Sequence, residues 1–317
     1  MYYLGIDLGG TNIAIGIVDE NYKIILKDKV PTKKERPTAE IIDDMAKLCA
    51  SLVERANLTF DDIASAGIAT PGSVDPVNGI VRYSNNVSMR NFPIADELKK
   101  RIPLKNVYIE NDANAAALAE AKAGAGKGCN DIIMITLGTG VGGGIVIGGK
   151  LYSGFNYSGA ELGHTVIEFG GKPCSCGRKG CFEAYSSATG LINMTKEKLL
   201  ETKDTIMWEM VNGDINNTNG RTAFDASKKD DKAGKEVVEK YISYLACGLA
   251  NLVNIFQPEV LCIGGGVCGE GDYLLKPLAK LVEENEYGFE YQTKTTQLKI
   301  AELGNDAGII GAALLGE

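Results

Sequence analysis

Two distant segments of this chain are written in the same way. "YYLGIDLGGTNIAIGIVD" near the start and "DIIMITLGTGVGGGIVIGGKLY" in the middle each run from an apolar strand through a glycine turn into a second apolar strand. Alternation of apolar with small or polar residues over so short a run argues for strands, and the glycines close the hairpins. Around them, short apolar runs such as "IASAGIATPG", "NVYIEND" and "EVLCIGGGV" read as further strands. "TAEIIDDMAKLCASLVERAN", behind a threonine cap, and "ANAAALAEAKAGAG" have helical spacing, and a long helix is expected over residues 236–256. Strands and helices mixed throughout, with one hairpin used twice, predict an α/β chain of two domains with a cleft between them.

Composition narrows the partners. A formal charge of −8 disfavours nucleic acid or an anionic membrane as the main partner, while leaving small anions open to backbone amides and metal ions. The start, "MYYLGIDLGG", lacks a basic segment before an apolar one, and no run reaches the ~18 apolar residues of a membrane span. A cytoplasmic protein is therefore expected, with its eight cysteines reduced. Cys49, Cys129, Cys247, Cys262 and Cys268 are scattered through apolar or glycine-rich sequence and read as inert.

Three features carry chemistry. The first is the glycine turns. In "DLGGTN", Asp7 precedes Gly9, Gly10, Thr11 and Asn12, so backbone N–H groups and a hydroxyl could cradle phosphate oxygens. "LGTGVGGG", with Gly138, Thr139 and Gly140, could do the same, and Gly265 of "IGGGV" could lie against a base and ribose. Each turn alone could equally be an ordinary hairpin. The second is "IENDANAA", where Asp112 follows a strand and opens a helix. It is either the helix cap or a carboxylate aimed at a ligand from the strand's C-terminal end, able to take a hydroxyl proton. Asn111 beside it has the donor and acceptor that polyol recognition needs.

The third is "GHTVIEFGGKPCSCGRKGCFE". The chain's one histidine, His164, stands with Cys174, Cys176 and Cys181 as H-x9-C-x-C-x4-C. Three thiolates and an imidazole fill a tetrahedral Zn²⁺ site with no open position, so the metal would be structural. A redox C-x-C pair is the competing reading. Glu161 and Glu183 flank the loop and would become fixed acceptors for ligand hydroxyls if a metal held it.

Taken in order, "GIDLGGTN", "IATPG", "ENDANAA", "LGTGVGGG", "AELGH" and "CSCGRKGCFEAY" closely resemble the ROK family of repressors and sugar kinases, over essentially the whole chain. The phosphate turn comes at once, with no room before it for a repressor's DNA-binding helices, which points to the kinase branch. The resemblance implies an actin-like, ribonuclease H-like sugar-kinase fold, with residues 1–112 plus 304–317 as a small α/β domain and 113–303 as a large one carrying the 164–181 zinc loop. It implies ATP-dependent phosphorylation of a hexose, foremost glucose to glucose 6-phosphate. Asp112 would be the general base, and Gly72, Asn86, Asn111, Glu161, His164 and Glu183 would hold the sugar. Asp7, Gly9, Gly10, Thr11, Asn12, Gly138, Thr139 and Gly140 would line the phosphates and Mg²⁺, and Gly265 the adenosine. A homodimer is implied as well. Met89 stands where glucose-specific relatives often have tryptophan, so N-acetylmannosamine, N-acetylglucosamine, fructose or allose are alternative substrates, and a non-catalytic sugar sensor is a further one.

Overall fold

The structure, a computed structural model, describes residues 1–317. Its chain divides into two compact units, one of Met1–Ile132, Gly144–Ala160 and Glu302–Glu317, the other of Ile133–Gly143 and Glu161–Ala301. The fold is mixed α/β, as the strand and helix patterns predict.

The first unit starts with the expected hairpin, β1 (Tyr2–Leu8) and β2 (Asn12–Asp19), continued by β3 (Ile24–Pro31) and followed by β4 (Ile63–Thr70). A small antiparallel sheet of β5 (Ser73–Asp75), β6 (Ile80–Ser84) and β7 (Met89–Phe92) comes next, and then β8 (Val107–Asn111). The main sheet is ordered β3-β2-β1-β4-β8. Strands β1 and β4 run parallel, as do β4 and β8, so Asp7 and Asn111 lie at the same, C-terminal, edge. Isoleucine and leucine side chains of β1 and β2 are fully buried against the helix Thr38–Arg55. Pro37 occupies that helix's N-cap position, making Thr38 the first helical residue and not the cap that its side chain suggests.

On the sheet's other side, contact is made by backbone. The helix Ala307–Ala313 approaches so closely that a Cβ on Gly67 would sit 1.8 Å from the Ala312 carbonyl oxygen. A Cβ on Gly311 would sit 1.9 Å from the carbonyl oxygen of Ala115, in the helix Asp112–Ala123. No side chain fits at either position, so glycine sets the spacing of this seam.

The same unit buries one carboxylate completely. Glu120 has no exposed surface and accepts backbone N–H groups from Ala125 (2.8 Å), Glu302 (3.2 Å) and Leu303 (2.8 Å). Glu120→Ala would leave those donors unpaired, at about 1–3 kcal/mol each. Urea denaturation should show a loss of about 3 kcal/mol or more, unless water enters to replace the carboxylate.

A second sheet is ordered β11-β10-β9-β12-β13, from β9 (Ile132–Leu137), β10 (Val141–Ile147), β11 (Lys150–Leu151), β12 (Val260–Gly264) and β13 (Gln297–Ile300). The β9–β10 connection is the second glycine turn. The long helix runs Lys232–Phe256, four residues earlier than expected, because the Asp231 carboxylate caps it by accepting the Gly234 N–H at 2.7 Å. No helix is long and apolar enough to cross a membrane.

Candidate active site

Within the first unit the structure draws together the expected residues of the first glycine turn and of the strand–helix junction. Asp7 ends β1, and Asp112 opens the helix that follows β8. The two carboxylates feel one another: burial, and then the charge of Asp112, push Asp7 up from 3.8 to about 6. Burial also raises Asp112, against the lowering effect of the Ala113 N–H bonded to its Oδ1 at 2.9 Å. The cap of the helix is Asn111, whose Oδ1 accepts the N–H groups of Ala113 (2.9 Å) and Asn114 (3.2 Å). Its amide nitrogen donates one proton to the Gly72 carbonyl at 3.1 Å, leaving the other for a ligand. Asp112 is thus relieved of the capping task.

Asn86 arrives by a route the sequence reading missed. It lies in the β6–β7 turn, whose backbone rests on the phosphate turn: a Cβ on Gly10 would be 3.3 Å from the Asn86 carbonyl oxygen. Gly72 packs beside Tyr83 and Ser84 of the same small sheet. Met89 is 1% exposed within β7 and belongs to the unit's core.

An ionised carboxylate held at a raised pKa costs the folded state free energy at neutral pH. For Asp7 that cost is absent below pH 4, appears between pH 4 and about 6, and is complete above. Asp7→Asn should therefore raise the stability of the ligand-free protein at pH 7 by about 1–3 kcal/mol while turnover falls sharply. Calorimetric melting at pH 4.5 and pH 7 checks it: the gain should be clearly smaller at the lower pH.

In the second unit, the turn after β9 is braced by side chains and backbone. Gly138 and Thr139 turn their carbonyls to the Ala188 N–H (2.9 Å) and the Thr189 hydroxyl (2.7 Å). Glu183 Oε2 accepts the Val141 N–H at 3.1 Å, and its Oε1 accepts the Ser175 hydroxyl at 2.8 Å. Gly265 is also drawn in. Its φ of 100° and a would-be Cβ at 2.3 Å from the Leu137 carbonyl oxygen leave glycine alone at this position.

The donor atoms of His164, Cys174, Cys176 and Cys181 all lie within 4.8 Å of one another. Cys176 Sγ to Cys181 Sγ is 3.7 Å, and Cys174 Sγ to His164 Nδ1 is 3.7 Å. A tetrahedral ion with bonds of about 2.3 Å needs sulfurs about 3.8 Å apart, so the cysteine pair at 3.7 Å matches the spacing of metal-bound donors. A disulfide would need sulfurs about 2.05 Å apart. The imidazole faces the cluster through Nδ1, which leaves Nε2 for something else. Glu161 is exposed and stands one 3₁₀ turn before His164, whose N–H bonds its carbonyl at 3.0 Å.

The family model described as "ROK family" matches residues 3–317. The chain is 37% identical over 311 residues to a glucokinase of Thermotoga maritima, covering 98% of this chain and 95% of that one. It is 36% identical over 316 residues to a glucokinase of Halalkalibacterium halodurans, covering 99% and 94%. Among solved structures, a ROK family glucokinase from Streptomyces griseus, in complex with glucose and AMPPNP, superposes with a TM-score of 0.80 at 34% identity, covering 99% of each chain.

Proposed function

Since the chain belongs to the ROK family, we propose that it transfers the γ-phosphoryl group of ATP to a hexose, with glucose as its substrate. The observation that carries this reading is Asp112, half-buried at a strand–helix junction, freed from capping by Asn111 and raised in pKa. A carboxylate so held is a better proton acceptor near neutral pH than an ordinary one. Similarity at 36–37% identity to curated glucokinases supports glucose as the sugar.

In the reaction the sugar hydroxyl oxygen forms a bond to the γ-phosphorus, the bond to the β-phosphate bridging oxygen breaks, Asp112 receives the hydroxyl proton, and ADP leaves. Such transfers depend on alignment and charge stabilisation. Asn86, Asn111, Gly72, Glu161, His164 and Glu183 hold the sugar in this reading. The turns at Asp7–Asn12 and Gly138–Gly140 present N–H groups to the phosphates, and Gly265 borders the adenosine. Mg²⁺, when bound with ATP, neutralises phosphate charge, and the buried Asp7 carboxylate suits its neighbourhood. The metal in the cysteine–histidine cluster is Zn²⁺, with a structural role. The active form is a homodimer.

A coupled assay of ADP formation across a panel of hexoses and N-acetylhexosamines tests the assignment. Glucose should give the highest kcat/KM. A preference for an N-acetylated sugar would overturn the substrate, and no ADP with any sugar would overturn the activity.

A further inference from the structure

Thr32, just after β3, has no exposed surface, yet neither its hydroxyl nor its N–H is spent within its own strand. The hydroxyl donates to the Gly9 carbonyl at 2.6 Å, and the N–H donates to the Thr11 carbonyl at 2.8 Å. Gly9 and Thr11 are separated from Thr32 by more than twenty residues but form the first glycine turn. Thr32 is itself anchored, because its carbonyl accepts Arg36 Nη2 at 3.1 Å and that nitrogen also bonds Asp44 at 2.8 Å.

The consequence follows from the peptide bond. A trans peptide is planar, with C=O and the next residue's N–H pointing in opposite directions. Fixing the Gly9 carbonyl on the Thr32 hydroxyl therefore fixes the Gly10 N–H away from Thr32. A turn that binds an anion must offer N–H groups and keep its carbonyls, which carry partial negative charge, out of reach. The Gly138–Gly140 turn shows the same construction, with the Thr139 carbonyl bonded by the Thr189 hydroxyl at 2.7 Å.

We propose that Thr32 is a positioning residue for phosphoryl transfer, aiming the Gly10 N–H at the nucleotide's phosphate chain by holding the Gly9 carbonyl away from it. The inference rests on the kinase reading above and adds to it a residue that touches neither sugar nor nucleotide.

Thr32→Val removes the hydroxyl, nearly preserves the shape and retains the N–H to Thr11. It should lower kcat/KM for ATP by about 10- to 100-fold, less than the ~10²- to 10³-fold of removing an aligned donor outright, because the N–H is misaimed and not lost. Calorimetric titration separates aim from general damage. AMPPNP should bind at least about tenfold more weakly to Thr32→Val, one lost interaction of about 1.4 kcal/mol. Adenosine and glucose should bind as they do to the unaltered protein. Thr32→Ser, which keeps the hydroxyl, should restore AMPPNP affinity. If Thr32→Val does not fold, Thr32→Ala gives the same readings. Equal weakening toward adenosine, glucose and AMPPNP would reduce Thr32 to a structural role and overturn the proposal, as would unchanged AMPPNP affinity. If the unaltered protein forms no ADP with any hexose, the kinase reading fails first, and that control distinguishes the two failures.

Discussion

Asp112→Asn should reduce kcat by about 10²- to 10⁴-fold, the usual worth of a positioned general base. Glucose should still bind, because the amide keeps the size of the carboxylate and an acceptor oxygen. The cap of the helix Asp112–Ala123 is Asn111, so the substitution leaves that helix intact and circular dichroism should not change. The pH profile gives a second check. Only the ionised form of Asp112 accepts a proton, and burial lifts its pKa above the ordinary 3.8. Turnover of the unaltered enzyme should therefore rise with pH through a limb displaced upward from that of a free aspartate. The residual activity of Asp112→Asn should lack the limb. Near-normal kcat in this variant would remove Asp112 from the chemistry.

The second large effect concerns the metal loop. If the cluster holds Zn²⁺ as proposed, Cys176→Ser should release it and raise the KM for glucose about tenfold or more, the range seen when the groups supporting a site are disturbed. Cys176 is the better choice because it is exposed, whereas Cys181 has no exposed surface and would damage the core as well. The two nitrogens of the one imidazole face different partners. With Nδ1 given to the metal cluster, His164 can meet a sugar hydroxyl only through Nε2, at an angle that the metal sets. Losing the ion would free the ring from that angle. Elemental analysis, glucose titration and circular dichroism on the same sample decide it. A zinc-free, folded protein with unchanged glucose affinity would end the claim that the metal organises the sugar site.

What could be read from the sequence was local. The two hairpins, the strand–helix junction at Asp112 and the donor set His164, Cys174, Cys176 and Cys181 each sit within about twenty residues of chain, where spacing implies geometry. The division of labour at the junction could not be read. Asn111 and Asp112 are both good capping residues, and only the backbone conformation assigns the cap to Asn111. The small sheet of β5–β7 went unseen because its strands are only three to five residues long and show no sustained alternation, like a loop. With it went the reason Asn86 meets Gly10. The bonds Thr32–Gly9, Ser175–Glu183 and Thr189–Thr139 left no trace in the sequence. Serine and threonine are common on any surface, and nothing in their spacing reveals a carbonyl or carboxylate partner elsewhere in the chain.

The glycine seam of the first unit bears on the order in which the protein can mature. Asp7 and Asp112 belong to segments made early, yet the helix that packs under both their elements is Ala307–Ala313. A Cβ on Gly308 would sit 2.6 Å from Asp7 Oδ2, so that helix also forms part of the carboxylate's wall. On the ribosome, the N-terminal sheet, complete at Asn111, must wait with one face bare until the chain reaches Ala307. Contacts so distant in sequence are slow to form, and an uncovered sheet face invites association with other chains. A nascent chain halted before residue 307 would therefore lack the settled pair of carboxylates, however well its hairpins had formed. The seam thus ties the two carboxylates to a segment made long after them, so it couples the pair to later synthesis as well as packing the sheet.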